Sequence, residues 1–350
     1  MAVIGVASYY IMPRGKFSQF SLIHHENWLA NPLTLTVNAG VQSDAVWYAR
    51  IAEQGYTYSP VHKSGIAFYP LYPLLIKLFA LIVGNVWVAG MLVSTICLFL
   101  AVGVLHLWLQ QRGLERLTPR VTAFMLLFPW SLFFAAMYSE SLYLLLALLT
   151  FLLYERRQWY GAALAIFLLT LCRPTGIVVV PCLLVLLWQF RTRDPRAYLP
   201  PIAGMAALAA FAAYQFVMFG TFTATLRAQA VRPWYRTLHQ GLLDVTLHHR
   251  PGVPSWYLAI MLLIGLIFLA AVPTVNRRIG PAYALFTALS VLMPASTGLI
   301  SLERFVIVAF PVFVVSAMAR MRLRLVALLT VQAWLLLLFM AGFEAGWSVW

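Results

Sequence analysis

Asp44, Arg50 and Glu53 put three charges into the stretch QSDAVWYARIAEQGYTYSP, in a chain of which only 10% is charged. Further ionisable residues stand at the ends of apolar runs: Glu140 in YSES, Arg173 in CRPTG, and Glu303 and Arg304 in LERFV. A carboxylate can take the proton of an attacking hydroxyl. A guanidinium or ammonium can hold a leaving phosphate. Together these types suit transfer of a group from a phosphate-linked lipid donor, with an apolar groove for the lipid tail. Asp44 or Glu140 is the candidate base, and Lys63, Arg173, Arg236 and Arg304 are the available cations. His62 and Lys63 stand just before AFYPLYP, and Gln229, Trp234 and Arg236 lie in a long polar segment where they would line an acceptor groove.

Each residue also has a plainer reading. Asp44 or Ser43 would cap the helix AVWYARIAEQ. Glu140 would complement the positive end of the helix SLYLLLALLT. Arg173, just before Pro174, would mark a bend with a snorkelling side chain. Glu303 and Arg304 would pair with each other or with lipid headgroups, and Trp234 would be a solvated loop residue. The case for a site therefore rests on the set, because ionisable residues are costly near a bilayer and gather at one face when they share a function.

Other chemistries lack their signatures. The chain has no P-loop, dinucleotide glycine pattern or HExxH motif, and no GxSxG elbow. His24-His25 and His248-His249 are adjacent pairs without zinc spacing, and Cys97, Cys172 and Cys182 all fall in or beside apolar runs. No metal centre, disulfide framework or cofactor is indicated.

The elements that must position these residues are membrane helices. The chain is 63% hydrophobic with a mean hydropathy of +0.85, far above a soluble domain. Apolar runs recur from end to end without the alternation of a membrane barrel. They are Val86–Trp108, Val121–Met137, Leu142–Tyr154, Tyr160–Cys172, Gly176–Phe190, Tyr198–Phe219, Trp256–Val275, Pro281–Pro294, Phe305–Ala319 and Leu325–Phe343. The expected architecture is all-α and polytopic, one integral domain over residues 1–350. The apolar opening MAVIGVASYYIM is too short to span and has no basic flank, which suggests a first span that begins upstream of Met1 or one that sits imperfectly.

The net charge of +14 sits mostly in short linkers: QQRGLERLTPR, ERRQW, RTRDPR, NRR and RMRLR. If each apolar run crosses once, all five linkers fall on one side. The positive-inside rule makes that side cytoplasmic, so the charge speaks for orientation and not for nucleic acid. The opposite face then receives residues 13–85 as a first large loop with interfacial helices, YSES, CRPTG, residues 220–254 as a second large loop, and STGLISLER. This order requires FYPLYPLLIKLFALIVG to lie at the interface or re-enter, as its prolines and Lys77 suggest. In the helix after Asp44, Val46, Ala49 and Ile51 would face the membrane while Arg50 and Glu53 face water.

Six stretches occur in order: DAVWYARIAEQGY, AFYPLYPLL, FFAAMYSESLYLLL, CRPTG, AQAVRPWYR and LERFVIVAFPVF. Over residues 38–315 the chain resembles the PIG-V-type mannosyltransferases of the GT-C superfamily. That resemblance implies a bundle of about 10–12 transmembrane helices with a large first extracytoplasmic loop. It implies a polyprenyl-phosphate mannose donor, a glycan or glycolipid acceptor, and inverting transfer at the luminal or periplasmic face. The family's loop Asp falls on Asp44, its YSES acid on Glu140 and its late basic residue on Arg304. A prokaryotic member would sit in the plasma membrane among its lipids, with Arg173, Lys63 and His62 helping to hold the donor phosphate. One departure is that Gln42-Ser43 precede Asp44 where the family has Trp or Arg-Trp. The competing class is a transporter or lipid flippase, which would place its ionisable residues near the bilayer midplane and show repeated halves.

Overall fold

The computed structural model describes residues 40–41, 43–59, 64–229, 255–299, 302–319 and 322–344. His62, Lys63, Trp234 and Arg236 lie outside the described residues, as do both His pairs and residues 1–39. Within them the chain folds into fifteen α-helices joined by 3₁₀ turns, with no strand. It is an all-helical, polytopic membrane protein. Helices satisfy their own backbone polar groups, which the hydrocarbon interior demands.

The chain opens with α1 (Ala45–Gln54), α2 (Leu71–Val83) and α3 (Val86–Gln110). It continues through α4 (Thr118–Leu126), α5 (Leu132–Ala135), α6 (Glu140–Glu155), α7 (Trp159–Cys172), α8 (Val179–Phe190) and α9 (Leu199–Phe219). The remainder comprises α10 (Ala224–Ala228), α11 (Ser255–Arg278), α12 (Pro281–Ala295), α13 (Leu302–Val306), α14 (Phe310–Ala317) and α15 (Arg322–Glu344). Among the described residues, three helical stretches are long and apolar enough to cross a membrane: Val86–Gln110, Pro195–Phe219 and Trp256–Arg278. α6 is the most enclosed helix: nearly all of it is buried, and it packs against α3 and α7.

Two apolar runs prove to be broken rather than continuous. Val121–Met137 divides into α4 and α5, with Pro129 between them and Ser131 Oγ donating to the Leu126 carbonyl (2.5 Å). Proline supplies no N–H there, and the hydroxyl satisfies a carbonyl that the helix has released. Phe305–Ala319 divides into α13 and α14, with Pro311 in the first turn of the latter. Hydropathy registers neither break, because both halves are equally apolar.

The prolines of FYPLYP act differently from the sequence expectation. Pro70 occupies the N-cap of α2 and Pro73 its first turn. There no intrahelical N–H is needed, so they start a helix instead of breaking one. The resulting helix is 13 residues long, short of the ~20 needed to span. In α1, Arg50 and Glu53 are exposed as expected. Ala49 and Ile51, however, are buried in protein, where α1 packs on α2 and α3.

One end of the bundle gathers the first four basic linkers together with Ala319, which leads to the fifth. Arg112 pairs with Glu155, and Arg156 Nε donates to Gln111 Oε1 (3.2 Å), joining the first linker to the second. Trp159 Nε1 donates to Asp194 Oδ2 (2.7 Å), joining the second to the third. A cavity lined by Arg112, Arg278 and Ala319 brings in the fourth and the approach to the fifth. Beneath it, Tyr283 donates to Glu155 (2.6 Å) and accepts from Trp108 Nε1 (2.9 Å). The Arg112 guanidinium lies 3.7 Å from the Trp108 ring centre. Cation, carboxylate and aromatic rings thus lock α3, α6 and α12 together.

Candidate active site

The other end of α6 carries Glu140 at its first position, fifteen residues or ~22 Å from Glu155 along the helix axis. A helix N-terminus favours a carboxylate there. The side chain is fully buried, and a buried carboxylate needs a partner. That partner is Arg173, whose Nη1 lies 2.9 Å from Glu140 Oε1. The contact is ionic without hydrogen-bond alignment, and neither Glu140 oxygen has a hydrogen-bond partner among the described residues.

Arg173 is fixed by its own sequence. It is extended (φ −154°, ψ 151°), as the residue before a proline must be. Pro174 then opens a tight 3₁₀ turn. A Cβ on Gly176 would lie 2.4 Å from the Leu169 carbonyl oxygen, so only glycine lets the turn fold back on α7. The guanidinium stacks 4.5 Å from the Phe305 ring centre and is nearly buried. This is not a snorkelling side chain.

Asp44 stands at the N-cap of α1 but makes no side-chain capping bond. Its carboxylate instead accepts from Arg304 Nη1 at 2.5 Å, across 260 positions of sequence. Arg304 Nε approaches Glu140 Oε1 at 3.7 Å. The four residues therefore form a chain of alternating charge: Asp44, Arg304, Glu140, Arg173. Burial alone would disfavour the Arg304 cation, but Asp44 and Glu140 outweigh it and hold its pKa well above the ordinary value. Tyr138 flanks the guanidinium at 5.2 Å from its ring centre.

Hydroxyl contacts fix the YSES turn. Tyr48 of α1 lies 3.0 Å from Ser139 Oγ, and Ser141 Oγ donates to the Phe134 carbonyl (2.6 Å). Ser94 Oγ of α3 donates to the Tyr138 carbonyl (2.9 Å), with the Tyr72 hydroxyl 2.6 Å from Ser94. These tyrosines and serines escape sequence reasoning, because Tyr in a membrane protein reads as an interface anchor. For Tyr72, Ser139 and Ser141 the sequence signal is their place within FYPLYP and YSES, and for Tyr48 its place within DAVWYARIAEQGY; Ser94 has no such signal.

Gln229 is not in this cluster. Its Nε2 donates to the Ala67 carbonyl (3.0 Å), while Thr225 Oγ1 donates to Ile66 (3.0 Å), so α10 clamps the turn that leads into FYPLYP.

Glu303, beside Arg304, is fully buried and does not pair with it; its Oε1 accepts from the Tyr257 hydroxyl at 2.9 Å. It lies in α13, outside the helices long or apolar enough to cross a membrane. Burial pushes its carboxyl from 4.5 up to about 8, against weaker opposition from hydrogen bonds and Arg304, with Glu140 adding to the rise. A raised carboxyl pKa means that the folded protein holds a proton the unfolded chain has released. Stability should therefore fall as pH rises from about 4.5 to about 8. Glu303→Gln, neutral at every pH, should flatten the thermal-melting profile of the detergent-solubilised protein over that window. An unchanged slope would assign the dependence to another group.

Comparison with known families bears on this arrangement. Residues 20–193, about half of the chain, match the family model described as Mannosyltransferase (PIG-V). The chain belongs to the PIG-V mannosyltransferase family. A search of curated proteins returns no match. Asp44, Glu140 and Arg173 of this PIG-V family member fall inside the matched segment. Arg304 falls outside it and is joined to it by the ion pairs with Asp44 and Glu140. Membership makes the protein a glycosyltransferase acting with mannose as the sugar.

Proposed function

We propose that this PIG-V family member transfers mannose from a polyprenyl-phosphate donor to a hydroxyl of a glycan or glycolipid acceptor, with inversion, on the extracytoplasmic face. The observation that carries the reading is the Asp44–Arg304–Glu140–Arg173 chain at the end of the bundle opposite the basic linkers. The positive-inside rule makes the linker end cytoplasmic. ATP and nucleotide sugars are not ready donors on the other face, so the activated sugar arrives on a lipid. The donor is a phosphodiester, and its leaving phosphate gains a charge as the glycosidic bond breaks. Arg304 stands where it can meet that charge, with Arg173 behind it. Asp44 is the more accessible carboxylate, its side chain 24% exposed against 0% for Glu140. It acts as the general base, while Glu140, fixed by Arg173, holds Arg304 in place.

Orientation is tested by cysteine labelling. Cys97, Cys172 and Cys182 are buried and free, so they can be replaced to give a silent background. A single cysteine at Ser43 should react with a membrane-impermeant maleimide in intact cells, whereas one at Arg193 should react only after the membrane is opened. The reverse pattern would overturn the proposed face.

A further inference from the structure

The site holds two ion pairs of different character. Glu140 and Arg173 are 0% and 7% exposed, clamped between a helix N-terminus, a 3₁₀ turn and Phe305. Asp44 and Arg304 are 24% and 13% exposed. Asp44 lies at the free start of α1 with no capping bond to hold its side chain. Arg304 spends Nη1 on Asp44, while its buried Nε has no hydrogen-bond partner among the described residues. A guanidinium has five N–H donors, and an unpartnered buried donor is costly. Among the described residues, the partly exposed pair with Asp44 engages one of the five N–H donors of Arg304.

A base that is ion-paired is a poor base. We infer that the Asp44–Arg304 pair is exchangeable: the donor's phosphate takes Arg304 from Asp44, and only then is Asp44 free to accept a proton, so the donor binds first and arms the base. The inference rests on the function proposed above. In the transfer step, the acceptor hydroxyl gives its proton to Asp44 as its oxygen bonds to the anomeric carbon. The bond from that carbon to the phosphate oxygen breaks, and the electron pair stays on the phosphate. Asp44 goes from −1 to neutral as the phosphate goes from −1 to −2, so total charge is conserved. Arg304 loses its carboxylate competitor at the moment the phosphate needs it most. When the polyprenyl phosphate leaves, Asp44 releases its proton to water and recaptures Arg304.

The base thus competes with the substrate for one cation. Removing its charge should tighten donor binding while lowering turnover. Binding of a short-chain polyprenyl-phosphate mannose to purified protein in detergent measures this. Asp44→Asn should bind about tenfold more tightly than wild type, the range expected for one charge-assisted contact. The gain should vanish in an Arg304→Gln background, since it operates through that guanidinium. Asp44→Ser provides the same test should the Asn variant fold poorly. No gain in either single variant, or an equal gain with and without Arg304, would overturn the exchange. Failure of wild type to bind the lipid-phosphate sugar at all would instead overturn the functional reading, and the exchange with it.

Discussion

Asp44→Asn should lower turnover by about two to four orders of magnitude, the range for losing general-base assistance. Asparagine keeps the size of the side chain and one hydrogen-bonding oxygen but cannot take a proton at neutral pH. The position is half-buried at the start of α1, with no side-chain capping bond to lose. The substitution should therefore leave the fold intact, and a thermal melt alongside the kinetics checks that. Asp44→Glu retains the basicity on a longer arm and should recover only part of the rate, because the acceptor oxygen must meet the base at hydrogen-bond distance. Near-normal turnover by the Asn variant would remove Asp44 as the base and transfer the role to Glu140.

Arg304→Gln should reduce kcat/KM for the donor by about 10²–10³, the cost of deleting one oriented group that stabilises developing negative charge. The loss should be larger for the donor than for the acceptor. Arg304→Lys keeps the charge without the planar fork and should fall between wild type and Gln. Arg173→Gln is a different experiment. It would leave buried Glu140 with only the longer contact to Arg304, so folding as well as catalysis would suffer. An Arg304→Gln enzyme with unchanged donor parameters would end the assignment of this residue to the phosphate.

The candidate site was unusually legible, because charge is rare in this chain. Asp44, Glu140, Arg173 and Arg304 stand out as a set against apolar surroundings, and the parity of the basic linkers points them to one end. Their pairing was not legible. Asp44 and Arg304 are 260 positions apart, and no local pattern reports a contact of that range. Local rules also offered Asp44 a capping bond that the long-range contact with Arg304 displaces. The buried glutamate at 303 read as half of a Glu–Arg pair, yet its neighbour faces the other carboxylates and Tyr257 takes its place. Helix breaks at Pro129 and before Pro311 were hidden because hydropathy is averaged over windows longer than the break. By type alone the prolines at 70 and 73 stop a helix, whereas position in the first turn decides whether proline stops or starts one. In α1 the apolar face was assigned to lipid, but an apolar face is equally satisfied by protein, and α2 and α3 cover it.

The central claim is mannosyl transfer from a lipid phosphate. Purified protein should be given radiolabelled mannose on polyprenyl phosphate or on a nucleoside diphosphate, with membrane lipid extract as acceptor. Product should form from the lipid donor alone, with the anomeric configuration inverted relative to that donor. Product from the nucleotide sugar with none from the lipid donor, or retained configuration, would contradict it.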